Sequence, residues 1–176
     1  MHVGRTIQTI GITLICASIA FAADATRTLS LVDEAGATHS ISPEDMAKLP
    51  RHKLKAKDHD RESEFEGVLL VDLLKSVGVE FGDQLKGKRA SNVIVLEATD
   101  GYRVSLALAE IDPDTTDKVV LLADRRDGQP LGEKESPYRL VIPSEKRPLR
   151  WIRMIRTIRV VSLQDLPPES RDARAR

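Results

Sequence analysis

The sequence predicts an α+β fold with a mixed or antiparallel sheet and short helices. Three observations lead to this prediction: the β-branched runs are short, Gly-containing turns join neighbouring runs into hairpins, and the helix signals cover few residues. The 176 residues are 41% hydrophobic and 31% charged, which is typical of a globular domain and excludes a disordered or membrane-embedded chain. The 27 basic and 27 acidic side chains cancel, so charge gives no argument for a nucleic-acid or anionic-membrane partner.

Strand and helix signals alternate along most of the chain. Strands are expected at residues 28–33, 38–41, 51–57, 92–98, 102–106, 118–123, 138–142 and 157–163. Helices are expected after the N-cap Ser42 with Pro43 in the first turn, at residues 68–77 and as one turn at 107–111. The segment 57–64 is dense in charges and is predicted to be a loop.

The first 22 residues have the features of a secretory signal peptide. Arg5 provides a short positive region, an apolar run follows at residues 7–21, and the sequence Ala-Phe-Ala ends at Ala22. An Arg-Arg pair is missing from the positive region, so we expect general rather than twin-arginine export. The expected organisation is a signal peptide at 1–22, one domain at 23–162 and a disordered tail at 163–176, in a periplasmic or secreted protein without a membrane anchor after cleavage.

Cleavage after Ala22 would remove Cys16, which is the only cysteine. The mature chain would then offer no disulfide, no thiolate metal ligand and no thiol nucleophile. His52 and His59 lie in a charged stretch, but their spacing does not match a metal-binding pattern, and we expect no metal there. The segment 82–88 has the spacing of a phosphate-binding loop, but Arg89 follows where a Ser or Thr is needed.

Five arginines recur at every third position near the C-terminus, which first suggests a nucleic-acid-binding arm: Arg147, Arg150, Arg153, Arg156 and Arg159. Apolar residues separate them and are expected to be buried, so the segment is interpreted as an amphipathic core element without a nucleic-acid partner. Two interpretations of the arginines remain open. They are scattered surface residues, or some of them bind a carboxylate, phosphate or sulfate through the guanidinium fork.

Several segments, taken in order, resemble the molybdopterin-binding domain of the sulfite oxidase family. Residues 65–74 (FEGVLLVDLL) resemble W-x-G-V-x-L-x-D-L-L, and residues 136–143 (SPYRLVIP) resemble G-x-P-x-R-L-v-v-P. The other matching segments are Asp-Gly-Tyr at 100–102, 121–131, Arg-Trp-Ile at 150–152 and 158–160. The resemblance spans residues 65–161 and implies a sulfite-oxidase-like fold.

The resemblance also implies a set of functional residues. In that family a pterin dithiolene and one protein cysteine hold molybdenum, while basic residues hold the cofactor phosphate and an anionic substrate. By position, the anion-binding role carries over to Arg139 and Arg150. The family's cysteine lies upstream of the segment 65–74, where the mature chain expected after cleavage has none. Exported members of the family leave the cytoplasm folded by the twin-arginine route, which this signal does not match.

The sequence therefore leads us to expect an exported domain of this fold that carries no cofactor and acts as a binding, sensory or accessory module. Its ligand, a small anion or a periplasmic protein, would occupy a reduced pocket near five residues: Asp100, Tyr102, Arg139, Arg150 and Trp151. The alternatives are a molybdopterin-dependent oxidoreductase with an oxygen or nitrogen ligand in place of the thiolate, and an Arg139 that pairs with a carboxylate to hold the sheet.

Overall fold

The computed structural model describes residues 27–165. The expected signal peptide and residues 166–176 of the expected tail lie outside this range, while Leu163–Asp165 form a 3₁₀ turn. Among the described residues, no helix has the length and apolar character needed to cross a membrane.

The described elements are short strands and shorter helices. The strands are β1 (Leu29–Val32), β2 (Thr38–Ile41), β3 (Arg51–Asp58), β4 (Arg61–Leu69), β5 (Val93–Ala98), β6 (Arg103–Ala107), β7 (Leu121–Arg126), β8 (Gln129–Pro130), β9 (Arg139–Val141) and β10 (Ile155–Val161). The α-helices are α1 (Pro43–Ala47) and α2 (Leu70–Ser76), and further 3₁₀ turns lie at Gly82–Gln84, Gly87–Ser91 and Leu108–Ile111.

Two five-stranded sheets form the domain. The first has the strand order β2-β1-β10-β5-β6, and the second has the order β3-β4-β7-β8 with β9 also paired to β7. Strands β1 and β10 are parallel, and the other pairs are antiparallel, so the first sheet is mixed. Side chains from both sheets, such as Leu31, Ile158, Phe65 and Leu122, belong to one continuous apolar core. The predicted α+β class with mixed and antiparallel pairing is confirmed.

The predicted cap of the first helix is confirmed in detail. The Ser42 Oγ accepts a hydrogen bond from the Asp45 amide at 3.2 Å, and the Asp45 carboxylate accepts one from the Ser42 amide at 3.3 Å. Pro43 occupies the first turn. The amides of Ser42 and Asp45, which have no partner within the helix, are thus both hydrogen-bonded. This allows a helix of only five residues to begin sharply after Ser42.

The predicted loop at residues 57–64 is wrong, because β3 and β4 form a long hairpin through this segment. Lysines on β3 face glutamates on β4: Lys57 is opposite Glu62, and Lys55 is opposite Glu64. Opposite charges at facing positions stabilise an antiparallel pair. The charge density that suggested a loop is therefore the side-chain pattern of a solvent-facing sheet surface.

The predicted helix at residues 68–77 begins two residues later than expected. Val68 and Leu69 belong to β4 and pair with β7, and α2 covers Leu70–Ser76. A continuous apolar run does not distinguish a buried strand from a helix, which explains the misplaced boundary. Other boundaries move by a few residues, such as β7, which begins at Leu121 rather than 118 and continues to Arg126.

The arginine-rich segment has the predicted amphipathic character. Trp151, Ile152, Ile155 and Ile158 are buried, and the arginines between them face outward, apart from the half-buried Arg150. Met154, also expected to be buried, is only partly so, since its positive φ of 54° marks an irregular residue just before β10. Four anchored apolar side chains make this segment part of the core.

Candidate functional site

Arg139 lies at the centre of the region that the sequence singled out. Strand β9 places Arg139 opposite Ala123 of β7, and its side chain is only 4% exposed. A buried guanidinium needs partners, because an uncompensated charge in the interior is strongly unfavourable.

Two carboxylates neutralise this guanidinium. The Arg139 Nη2 donates to the Asp58 Oδ2 at 2.7 Å, and the Nη1 donates to the Glu135 Oε1. Arg126 joins both acids, with its Nη2 3.1 Å from Asp58 Oδ2 and 3.0 Å from Glu135 Oε1. We call these four residues the Arg139 cluster. Its two arginines and two acids balance, so the cluster has no net charge of its own.

Two aromatic rings cover the cluster. The guanidinium carbons of Arg126 and Arg139 lie 4.8 and 5.5 Å from the centre of the Phe65 ring, and Arg139 lies 5.5 Å from the Trp151 ring. Phe65 and Trp151 meet edge to face at 6.0 Å. The Nε atoms of both arginines are buried and donate to no partner among the described atoms. The rings therefore supply cation–π contacts where hydrogen bonds are missing.

The Asp58 carboxylate is held in its charged form. Burial raises its pKa, but the hydrogen bonds from Arg139 and His59 and the charges of Arg139 and Arg126 outweigh burial, so the pKa lies below the usual 3.8. An ionised Asp58 keeps the Arg139 cluster closed at neutral pH.

Arg150 is bound to a second pair of acids. Its Nε donates to Glu145 Oε1 at 2.6 Å, and its Nη2 lies 3.3 Å from Glu110 Oε2. Glu110 also accepts from Lys118. Burial raises the pKa of Glu110, but the Lys118 hydrogen bond, the Ala107 amide and Arg150 lower it to about 2. The Arg150 side chain is 31% exposed, so this second group of charges is half-buried.

Asp100 and Tyr102 lie in the exposed turn between β5 and β6. The Asp100 Oδ1 accepts from the Tyr102 amide at 2.9 Å, which closes the turn. Tyr102 is 55% exposed, and its hydroxyl is 3.5 Å from the Leu149 carbonyl. The role of Asp100 visible in the structure is local: it shapes the hairpin.

The five predicted site residues are only partly brought together. Trp151 contacts Arg139, and its Nε1 donates to the Ile142 carbonyl at 3.2 Å. Arg150 directly precedes Trp151 but pairs with a different set of acids. The Tyr102 hydroxyl contacts the carbonyl of Leu149, the residue before Arg150. A ligand role for these five residues stays a prediction.

The residues that complete the Arg139 cluster were not predicted from the sequence. Asp58 was noted only as part of a charged loop, and Arg126 and Glu135 had no role. A usable signal was present for Asp58, because it has the same strand parity as Leu54 and Ala56 and so faces inward from β3. Sequence spacing held no such signal for Glu135, which is brought to Arg139 by the loop before β9.

The histidines considered for metal binding are paired singly with acids. His52 Nε2 is 3.6 Å from Asp72 Oδ2, and His59 Nδ1 is 3.0 Å from Asp58 Oδ1. Within residues 27–165, no group of three or more His, Cys, Asp or Glu side chains is placed to hold a metal ion.

A cleft of about 400 Å³ opens beside α1, and none of the five predicted residues lines it. Arg51 spans it, donating to Asp124 Oδ1 at 2.6 Å and to Glu66 Oε1 at 3.1 Å. Its guanidinium is thus already matched by two acids, as in the Arg139 cluster.

Comparison with known proteins gives one family and a structural likeness. Residues 45–166 match the family model described as oxidoreductase molybdopterin binding domain. A search of curated proteins gives no match. Among solved structures, the sulfane dehydrogenase SoxCD from Paracoccus pantotrophus is similar, with a TM-score of 0.60, 18% identity and coverage of 78% of this chain. The alignment covers 39% of that protein's chain, and at this identity it concerns the fold, which is the one expected from the resemblance.

Proposed function

This chain belongs to the oxidoreductase molybdopterin-binding domain family, and we propose that it is an exported member that works without the cofactor, as a module that binds a partner protein. The observation that carries the proposal is the closed Arg139 cluster. The resemblance assigns to Arg139 the position from which the family holds an anion, and here its guanidinium is bound by the chain's own Asp58 and Glu135.

The residues around Arg139 do not fit the family's cofactor. The pterin carries a phosphate, and two carboxylates next to the guanidinium would repel it. In the family one protein cysteine holds the metal together with the pterin dithiolene, and residues 27–165 contain no cysteine. The resemblance places that ligand upstream of residues 65–74, and the nearest strand on that side, β3, ends in the carboxylate of Asp58.

The contacts of Arg139 and Arg150 also favour a protein over a small anion as the bound partner. A small anion at Arg139 or Arg150 would have to displace carboxylates that are already in contact with each guanidinium. Displacing a buried acid leaves that acid uncompensated, which costs more than an exposed ion pair returns. A partner that uses the surface avoids this cost, and for this reason we favour a protein partner.

The first experiment measures the cofactor directly. The protein is purified from cells of its own source, and molybdenum and the oxidised pterin are quantified against protein concentration. We expect both to be far below one per chain. Near-stoichiometric molybdenum together with turnover of an oxyanion or sulfoxide would overturn the proposal in favour of an oxidoreductase with a non-cysteine ligand.

A second experiment separates the two ligand classes. Sulfate and phosphate are titrated into wild type and into Asp58→Asn/Glu135→Gln, and thermal stability is followed. We expect no specific stabilisation of wild type and a gain in the variant, whose Arg139 has lost its acidic partners. Specific stabilisation of wild type that Arg139→Met abolishes would favour the small anion instead.

Export is tested by cell fractionation. We expect the protein in the periplasm or medium with Ala23 as its first residue, because the sequence up to Ala22 has the form of a cleaved signal peptide. Retention in the cytoplasm with residues 1–22 intact would contradict this part of the proposal.

A further inference from the structure

Strand β3 lies at the edge of the second sheet. Its eight residues pair with β4, and within residues 27–165 nothing pairs with its other side. Alternate backbone amides and carbonyls of an edge strand point away from the sheet, where they are available to another strand.

The outer face of β3 carries three exposed lysines at alternate positions: Lys53, Lys55 and Lys57. They face Glu66, Glu64 and Glu62 of β4, respectively. The Lys53 Nζ is 3.4 Å from Glu66, whereas the described contacts include no ion pair for Lys55 or Lys57. The face is therefore a stripe of acids beside a stripe of bases, and the basic stripe is the one at the open edge.

A groove of about 390 Å³ opens along the same edge. Its apolar part is formed by Leu54, Leu69, Val119 and Pro143, and Val119 is 43% exposed. The remaining lining residues are polar or charged: His52, Lys53, Lys55, Asp117 and Ser144. Side chains of a strand added beside β3 would point alternately into this groove and toward the lysines.

We propose that the open edge of β3 binds an extended acidic segment of a partner protein, which adds to the sheet as a further strand. Backbone hydrogen bonds to β3 would hold the segment, apolar side chains would enter the groove, and acidic side chains would lie beside the lysines. The proposal names the surface and the partner chemistry for the module described above and rests on that proposed function.

Two other occupants match this edge less well. A second copy paired through β3 would place the lysines of one chain opposite those of the other, and like charges at facing positions are unfavourable. The chain's own residues 166–176 include Pro167 and Pro168 and three arginines, so they suit neither a strand nor a basic edge. Lysines on an edge strand also discourage nonspecific pairing, which is compatible with selection for an acidic partner.

The test uses a peptide of eight residues, the length of β3, in which glutamate and valine alternate and both termini are capped to remove their charges. Binding is measured by fluorescence anisotropy, and amide hydrogen exchange locates it. We expect saturable binding with slowed exchange in β3. A peptide that alternates lysine and valine, and one with the glutamates and valines in separate blocks, should leave β3 exchange unchanged.

Matched variants assign the binding to β3. Lys55→Gln/Lys57→Gln should lower the affinity for the peptide by about threefold to tenfold, as expected for the loss of two exposed ion pairs. Lys86→Gln/Lys88→Gln removes the same charge from exposed lysines outside β3 and should change affinity by less than about twofold because distant exposed charges are screened.

Three results would overturn the proposal: absence of peptide binding, equal weakening by both lysine pairs, or a concentration-dependent dimer that protects β3 without peptide. Molybdenum analysis of the same preparation separates the two proposals. If the protein contains no molybdenum and does not bind the peptide, only the proposal of a docking edge is refuted. If the protein contains near-stoichiometric molybdenum, the proposed function is refuted whether or not the peptide binds.

Discussion

The hairpin of β3 and β4 carries charged residues on both faces, and the two faces use them differently. On the inner face, Asp58 meets Arg126 and Arg139, whose side chain is 4% exposed. On the outer face, Lys53 is 61% exposed and lies 3.4 Å from Glu66. The pairs are chemically alike, but the Arg139 guanidinium has lost nearly all of its water and the Lys53 ammonium has not. Burial, rather than the number of pairs, decides which charges the fold depends on.

The Arg139 cluster is the place where one substitution should cost most. Arg139→Met leaves Asp58 and Glu135 with Arg126 as their shared partner, and loss of one member of a buried pair costs about 3–5 kcal/mol of unfolding free energy. Urea denaturation measures the change. Arg139→Met/Glu135→Gln should recover part of it, and a loss below about 1 kcal/mol in the single variant would show that the inner face resembles the outer one.

Strands β4 and β7 approach each other very closely at Gly67. A Cβ on Gly67 would lie 2.1 Å from the Leu122 carbonyl oxygen, next to an irregularity in the β4–β7 pairing. Gly67→Ala should therefore destabilise the domain by about 1–3 kcal/mol. Gly132→Ala is the control, since no atom lies within 4 Å of its added Cβ, and it should change stability by less than about 0.5 kcal/mol. Equal effects would contradict the close approach.

The half-buried charges around Arg150 should behave between the two faces. The folded pKa of Glu110, about 2, lies below its ordinary 4.5, so the unfolded chain binds more protons between these values. The stabilisation from Glu110 is thus present above pH 4.5 and is lost as the pH falls toward 2. Glu110→Gln should reduce the acid dependence of unfolding by about 1–2 kcal/mol after allowance for solvent screening. Parallel curves for wild type and variant would rule out this role.

The outer face should show the smallest effect. Lys55→Gln removes a side chain that faces Glu64 across the hairpin in water, and stability should change by less than about 0.5 kcal/mol. The same urea titrations measure it. A loss comparable to that of Arg139→Met would remove the distinction between the faces.

Local signals predicted the parts of the fold that local physics controls. The Ser42 cap, the β1–β2 hairpin and the turn after Ala98 follow from side chains within a few residues of each other. The Lys57–Glu62 pairing was misread as a loop because cross-strand complementarity becomes visible only when the two strands are aligned. The predicted start of α2 was wrong because Val68 and Leu69 pair with β7, which lies about fifty residues later in the sequence.

The candidate site divides in the same way. Arg139 and Trp151 were found through their neighbours in sequence motifs, whereas Asp58, 81 positions away from Arg139, was connected to it only by folding.

By itself, the sequence determined the fold class, the family resemblance and the absence of cysteine from residues 23–176, since each depends on residue identity and order. The tertiary structure decided that Arg139 is neutralised by acids of the same chain and that, within residues 27–165, the outer edge of β3 has no paired strand. Both depend on which distant strands meet and which charges lose water, and neither property is encoded in any single stretch of the chain.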